Sequence, residues 1–490
     1  MKPLTDPALS IKDLTFTLNG QPLIESASLT IDKGEVVLLS GRSGSGKSTL
    51  ANLINGYFPE YGGKQTVSHI RIDGEDVQLQ SVVDRLEKVG TIFQNARLSF
   101  SMKTLREEMG FCLENTRTPS ERIDDIIEQK ATHFNLTHLL DRSFDDLSGG
   151  ELQKAAFVCA NLSDLPLYIM DEPFANMDEQ TIEDYVSYIK VLSEQGKAVI
   201  IIDHHVDRWN WVGRWLLMDT TRQLIDLTHL PSDFKRDKLI EAGVVIDPAM
   251  ISRQRPNADE TVLELDKVSV YHEQTVRQSF FRKVTHVNTL IEEASFELKK
   301  GALTALVGPS GIGKSSLFRS ILNVSPYSGD IRIQGKSIRD MKSADLYSRI
   351  GLVFQDPSLQ FVKTKVMDEM VLSLTAWDDI EEEVAAEQAK ALLEHHHFDN
   401  KADESPWVLS QGQQRRLAVV CMTVGQQQLL LVDEPTYGQD AANARKIMDK
   451  LSELCEAGMT CLFTSHDRQL VDAYADTIYE IREKKVKQVL

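Results

Sequence analysis

The chain carries the string Gly41-Arg42-Ser43-Gly44-Ser45-Gly46-Lys47-Ser48-Thr49 and, 267 residues later, Gly308-Pro309-Ser310-Gly311-Ile312-Gly313-Lys314-Ser315-Ser316. The shared pattern G-x-x-x-x-G-K-S does its chemistry with backbone. Its glycines let consecutive N–H groups curl around phosphate oxygens, and the positive end of a following helix adds to the field. Lys47 and Lys314 would reach the β- and γ-phosphates of a nucleotide, and Ser48 and Ser315 would ligate Mg2+. Further on, two apolar runs each end in an acidic pair, Asp171-Glu172 and Asp433-Glu434. Such an Asp can hold Mg2+ through water while the Glu polarises an attacking water. Asp171 stands 124 residues after Lys47, and Asp433 stands 119 after Lys314. A histidine follows each pair. His466 lies 33 positions past Asp433, and the same interval from Asp171 selects His204 over its neighbour His205.

These residues belong to a repeat. LSGGE at Leu147–Glu151 recurs 262 residues later as LSQGQ at Leu409–Gln413, and MDEP from Met170 recurs at the same shift as VDEP from Val432. Phe93-Gln94 is matched by Phe354-Gln355, with Gln94 47 positions past Lys47 and Gln355 41 past Lys314. About six residues of insertion or deletion thus separate two copies, a tandem duplication. In each copy a strand (Glu35–Leu39; Ala302–Val307) leads into the glycine-rich loop and a helix. A short β segment, a helical stretch, a strand ending in Asp-Glu and a strand ending in His follow. That alternation predicts an α/β fold: two domains, each with a mainly parallel sheet core, an antiparallel β part and a helical subdomain. The domains are expected at 1–230 and 261–490, joined by a polar connector, 231–260, with prolines at 231, 248 and 256.

The chain has 490 residues, 42% hydrophobic and 26% charged, the make-up of an ordinary globular protein that buries sizeable cores. Fifty-four basic against 73 acidic residues give a net charge of −19, which repels nucleic acid over most of the surface. Cys112, Cys159, Cys421, Cys455 and Cys461 form no CxxC pair and read as reduced thiols. The opening MKPLTDPALS lacks the apolar stretch of a signal peptide. The apolar runs fall short of the roughly 18 residues of a membrane span, so any membrane role must come through a partner.

Phosphate loop, Gln, LSGG-like string, Asp-Glu and His, in that order, resemble the ATPase domain of ABC proteins, here present twice. The resemblance implies ATP and Mg2+ as cofactors and a head-to-tail pseudo-dimer of the two halves. One site would then combine Lys47, Gln94, Asp171, Glu172 and His204 with Ser410, Gln411, Gly412 and Gln413. The other would combine Lys314, Gln355, Asp433, Glu434 and His466 with Ser148, Gly149, Gly150 and Glu151. Mg2+ would lie at Ser48, Gln94 and Asp171 in one, and at Ser315, Gln355 and Asp433 in the other. Asp178 and Asp440 would cross the interface as D-loop residues. Gln411 and Glu151 depart from the family's LSGGQ, although both Glu172 and Glu434 are present, so two competent but unequal sites are expected. For the aromatic that stacks on adenine, the first copy offers Leu18 or nearby Phe16, and the second Tyr271 or His272.

FQDPSLQF (Phe354–Phe361), KVMDEM (Lys365–Met370) and PTYGQD (Pro435–Asp440) are similar to the ATPases of energy-coupling factor (ECF) importers. The tandem length resembles versions linked to hydroxymethylpyrimidine/thiamine uptake. That likeness implies a peripheral protein on the cytoplasmic face of the cell membrane. Its partners would be a transmembrane coupling subunit and a substrate-binding membrane subunit, with Glu107, Glu108, Asp368 and Glu369 as candidate acidic contacts. The rivals are an ATPase for sugar or peptide import and a ribosome-associated twin-ABC translation factor; the latter calls for a long basic linker, and 231–260 is short and proline-punctuated. His395-His396-His397 lack the i, i+4 spacing of a helix-borne metal pair and read as a surface cluster. Trp209, Trp211 and Trp215 read as packing, and the acid-rich stretch 378–404 as a solvated face.

Overall fold

The computed structural model describes residues 6–489 apart from 94–95, 175–178, 204–205, 248–250, 252–258, 280–281, 310, 377–379, 426 and 440, with backbone alone at 98, 179–180, 273–279, 282–286 and 411. The chain divides into two compact units, Met1–Val245 and Ile246–Leu490.

In the first unit, the strands Val36–Gly41, Leu167–Asp171 and Ala198–Ile202 are buried along their whole length. Their unbroken apolar runs, VVLLSG, LYIMD and AVIII, suit strands covered on both faces. They sit inside a six-stranded sheet ordered Leu224–Asp226, Arg214–Met218, Val36–Gly41, Ala198–Ile202, Leu167–Asp171, Val89–Ile92. Only the edge pair Arg214–Met218/Leu224–Asp226 is antiparallel. A second, antiparallel sheet is built on the hairpin Leu9–Leu18/Gln21–Ile31. One core fills the space between the two sheets and the helix Lys47–Ile54. A separate core holds the helical subdomain, which contains Leu105–Asn115, Ser120–His133 and Gly149–Ala160.

The second unit repeats the topology: Ile350–Val353, Leu429–Val432, Thr460–Thr464, Leu303–Val307, Thr477–Arg482, Lys485–Gln488. Its helical part contains Val366–Thr375, Glu382–His395 and Gln411–Cys421. The expected α/β class, with parallel core, antiparallel part and helical subdomain in each copy, is what the chain adopts.

Two length differences distinguish the units. Leu9 pairs with Ile72 and Leu263 with Ile333, yet Gly41 follows Leu9 by 32 positions and Gly308 follows Leu263 by 45. The second hairpin, Thr261–Ser279/Arg282–Lys299, is therefore 13 residues longer. The six residues seen in the motif spacing lie just after the first phosphate-loop helix. Ile54 to Ile72 spans 18 positions, and the matching Ile321 to Ile333 spans 12.

Part of the polar connector is structured. Residues Ser232–Glu241 form a helix, and Leu239, Ala242 and Val244 join the first unit's core. Lys235 Nζ lies 4.8 Å over the Trp215 ring. Among the described residues, no helix is long and apolar enough to cross a membrane.

Candidate active sites

In the first unit, the buried strand Val36–Gly41 ends in the phosphate loop, which the helix Lys47–Ile54 closes. Gly46 is the N-cap, left-handed at φ 110°, and gives the helix no side-chain cap. The first-turn N–H groups therefore have no capping side chain competing with an anion. A Cβ on Gly46 would meet Leu23 O at 2.5 Å, and one on Gly41 would meet Met218 O at 2.5 Å. Lys47 is buried, its Nζ donating to Gly41 O (2.6 Å) and Arg42 O (3.0 Å), so the ammonium stands inside the loop it would serve. Ser45 Oγ is buried without a hydrogen-bond partner among the described residues; Arg42, Ser43 and Gly44 are exposed and Thr49 is half-buried. Ser48 Oγ donates to Asp171 Oδ2 at 2.6 Å. A hydroxyl and a carboxylate converging beside the loop are the hard oxygen donors that Mg2+ takes.

Glu172 follows in the left-handed region, φ 49°, and its N–H donates to Ile202 O at 2.8 Å. Glu434 has φ 48° at the matching position. A non-glycine residue rarely sits there, and such strain persists only where surrounding structure imposes it. Its recurrence at both acidic pairs marks the two residues as positioned rather than incidental.

In the second unit, Lys314 Nζ donates to Gly308 O (2.7 Å) and Pro309 O (3.2 Å), and Gly313 is again an uncapped left-handed N-cap. Gly311 and Ser315 are exposed, Ile312 and Ser316 half-buried. Burial lowers the Lys314 ammonium's pKa, opposed by Glu434 and Asp433. His466 Nε2 is 3.2 Å from Lys314 Nζ and 3.0 Å from Glu434 Oε1. Nε2 can accept a hydrogen bond from Lys314, which sets the ring between the loop lysine and the glutamate. Thr464 ties the acidic pair together: its Oγ1 donates to Asp433 Oδ1 (2.7 Å) and accepts from the Glu434 N–H (2.8 Å). The first unit has Ile202 at that place.

The LSGG-like strings open helices. Ser148 is the N-cap of Gly149–Ala160, its Oγ accepting from the Glu151 N–H, while Glu151 accepts from the Ser148 N–H at 2.8 Å. Ser410 and Gln413 form the same reciprocal pair on Gln411–Cys421. Glu151 and Gln413 are thus the capping partners of their serines. The sequence reading passed over that role, although S-x-x-E/Q was its signal. The Ser148 N–H and hydroxyl, with Arg142, hold the Glu151 carboxyl below the usual carboxylate range, so it stays charged. Gly150 is half-buried and Gly149 exposed. In the second unit Ser410, Gly412 and Gln413 line a cavity of about 50 Å³ beside Arg416 and Lys446, two cations that favour an anion.

Arg415, also overlooked in the sequence, is buried and donates to Glu434 O and, at 3.0 Å, to Gln355 O. It links the signature helix, the Gln segment and the candidate glutamate Glu434; burial lowers its pKa to about 10, still charged at neutral pH. Gln153, 262 residues earlier, is buried with Nε2 unpartnered among the described residues. Gln355 is exposed. Gln94, Asp178, His204, His205, Ser310, Asp440 and the Gln411 side chain lie outside the described residues.

Two of the four acidic candidates for partner contact are corrected. Glu108 and Glu369 are buried at 3% and 5% exposure. Glu108 Oε2 accepts from Ser101 and Met102 N–H (2.8 Å each), and Glu369 Oε2 from Val362 (2.9 Å) and Lys363 (2.6 Å). They clamp the loop after each Gln segment from within, leaving Glu107 and Asp368 exposed.

Phe16 is fully buried and Leu18 half-buried, so neither offers a ring face to adenine. Tyr271 is half-buried with its hydroxyl 2.7 Å from Ser328 Oγ, and His272 is exposed. Trp209 is fully buried, donates to Asp203 Oδ2 (2.8 Å) and stacks on Phe174 at 5.3 Å. His395 and His396 meet edge-on at 4.8 Å.

The family model for ABC transporters matches residues 24–175 and 291–437. A Bacillus subtilis protein, YkoD, named for HMP/thiamine import as an ATP-binding protein, is 31% identical over 98% of this chain and 90% of its own length. An ABC transporter ATP-binding protein of Saccharolobus solfataricus is 28% identical over 98% of this chain and 93% of the relative. Among solved structures, an RNase-L inhibitor covers 97% of this chain and 90% of its own, with TM-score 0.58 at 19% identity, a likeness of fold. Two phosphate loops with their acidic pairs, and a family match in each unit, lead to one conclusion: the chain belongs to the ABC transporter family, as an ATP-binding protein with two ATPase domains in tandem.

Proposed function

We propose that this ATPase energises a membrane importer of the ECF type, with vitamin or transition-metal uptake as the substrate class and HMP/thiamine the first candidate. The carrying observation is the relationship, over nearly the whole chain, to a protein named for HMP/thiamine import. The second unit's PTYGQD and KVMDEM strings support the same reading.

In this reading Lys47 and Lys314 hold the β- and γ-phosphates, and the uncapped helix N-termini add N–H donors. Mg2+ would supply charge neutralisation at the phosphates; Ser48 with Asp171, and Ser315 with Asp433, are the residues that would hold it, with Gln94 and Gln355 assigned to it by the family pattern. Glu172 and Glu434 orient and polarise the attacking water, and His204 and His466 sense the γ-phosphate. Each site is completed by the other unit's signature, Ser410 with Gly412 or Ser148 with Gly150, so ATP joins the halves and hydrolysis releases them. The exposed loops held by Glu108 and Glu369 face a transmembrane coupling subunit at the cytoplasmic side of the membrane.

The test is reconstitution with a coupling subunit and a substrate-binding membrane subunit in vesicles. The reading expects ATP-dependent accumulation of labelled thiamine precursor, another vitamin or a metal. Sedimentation with ribosomes and failure to bind any membrane subunit would overturn it.

A further inference from the structure

The six extra residues of the first unit lie between the phosphate-loop helix and the antiparallel sheet, and this segment holds a cluster of aromatic rings. Tyr57 and Tyr61 stack with centroids 4.9 Å apart and planes 22° apart. Tyr57 meets Phe58 edge-on at 5.1 Å, and Phe58 packs at 5.0 Å on the fully buried Phe16. The base of the cluster is thus anchored in the core. Its top is not: Tyr57 is 44% exposed and Tyr61 62%. A rigid ring pair held half in water offers a face on which a planar ligand can stack.

Its location says which ligand. The segment returns to the sheet at the turn end of the hairpin Leu9–Leu18/Gln21–Ile31, where Lys64 pairs with Thr17. A Cβ on Gly62 would lie 3.7 Å from Leu18 Cδ1. The same hairpin end reaches the phosphate loop, because a Cβ on Gly46 would meet Leu23 O and Ile24 Cγ1. Tyrosine pair and phosphate loop therefore flank one hairpin end, as a base and the phosphates attached to it would require.

The other unit supplies a complement. Strand register equates Leu9 with Leu263, and hence Thr17 and Leu18 with Tyr271 and His272. Where the strand carries aromatic rings the extra segment is missing; where the strand carries Thr and Leu, the segment brings two tyrosines.

We propose that Tyr57 and Tyr61 form the stacking platform for the purine base of the nucleotide held by the first phosphate loop. The proposal rests on the nucleotide reading of that loop and adds the residues that hold the base. Stacking on an aromatic pair is blind to base edges, so the platform serves adenine and guanine alike.

The test uses the full chain with Lys314→Ala, which silences the second loop, and measures binding of ATP and of inorganic tripolyphosphate, which has no base. Tyr57→Ala with Tyr61→Ala is expected to weaken ATP about tenfold, as loss of one base–ring stack does, and to leave tripolyphosphate unchanged. Tyr57→Phe with Tyr61→Phe should restore ATP affinity, since the ring is kept. Unchanged ATP affinity in the alanine variant overturns the proposal. So does equal weakening of both ligands, which marks a structural role, or failure of phenylalanine to restore binding. If the Lys314→Ala parent binds neither ligand, the nucleotide reading of the first loop fails, and the platform with it.

Discussion

Glu369 offers the sharpest test of how the loop after the second Gln segment is held. Its Oε2 accepts two backbone N–H groups, Val362 at 2.9 Å and Lys363 at 2.6 Å, from a side chain only 5% exposed. Hydrogen bonds to a charged partner are worth about 1.5–3 kcal/mol each, against about 0.5–1.5 for neutral ones. Replacing the carboxylate by an amide at Glu369→Gln therefore removes roughly 1–1.5 kcal/mol per bond, about 2–3 kcal/mol for the pair. Val362 and Lys363 are themselves exposed, so the freed N–H groups can turn to water, and the loss appears as local opening rather than unfolding. At 1.4 kcal/mol per tenfold, the open population of the loop should rise about 30- to 150-fold. Amide hydrogen exchange reads this directly: Val362 and Lys363 should lose protection by that factor while the strands Leu303–Val307 and Leu429–Val432 keep theirs. With the proposed coupling subunit present, ATPase stimulation should fall while the basal rate of the isolated chain holds. Unchanged protection at the two amides would refute the clamp, and a loss spread evenly over the unit would show that Glu369 supports the core instead.

Glu172→Gln and Glu434→Gln should each slow hydrolysis at their own site by at least about 100-fold, the usual worth of a general base; phosphate release by single and double variants shows whether either site is silent. His396 is half-buried, and burial, with Lys450 and His395 nearby, pushes its pKa down to about 4 from its ordinary value, opposed by Glu453. A folded-state pKa below the unfolded one means that stability, full at neutral pH, is lost as pH falls from about 6.5 towards 4. The urea midpoint of the second unit should drop across that window, and His396→Asn should flatten the drop. Glu151→Gln keeps the cap, as Gln413 shows, and removes a charge from where a γ-phosphate is proposed to dock. ATP affinity should rise about two- to fivefold at low salt, and the gain should vanish near 0.5 M NaCl if it is electrostatic.

The candidate site strings stood out in the sequence because the chemistry expected of them needs residue types at fixed chain distances. Lys47 with Asp171, and Lys314 with Asp433, could be paired by counting alone. The sheet was legible because strands such as AVIII and LLLV have one environment open to them. Burial within a mixed run was not legible. Glu107 and Glu108 look alike in TLREEM, and so do Asp368 and Glu369 in KVMDEM, but only the second of each pair lies on the inward face of its helix. The longer second hairpin also stayed hidden, because it precedes every motif and shifts no interval between them. Nor could spacing show that Arg415 reaches back to Glu434 and Gln355, since that contact exists only once strand and helix are packed.

The duplication has kept the reacting groups and let their supports diverge. Asp433 and Glu434 are tied through the Thr464 hydroxyl, and Arg415 fixes the Glu434 carbonyl. At the same places the first unit has Ile202, which offers only a backbone carbonyl to Glu172, and Gln153, which is too short to repeat the arginine's two bonds. Around the signatures the contrast extends to charge: Gln413, Arg416 and Lys446 in the second unit stand where the first has Glu151, Lys154 and Asp184. A glutamate that polarises water acts through its position, and in the second unit two side chains, Thr464 and Arg415, bond to its backbone. The acidic pairs are thus supported differently, the first through Ser48 and the Ile202 carbonyl and the second through Thr464 and Arg415, and the second unit's signature carries less negative charge. In the proposed head-to-tail pairing each ATP would take its acidic pair from one unit and its signature from the other, so the two differences would fall on different nucleotides. The two sites would then differ both in how the glutamate is held and in the charge of the signature, which is a physical reason to expect them to be unequal.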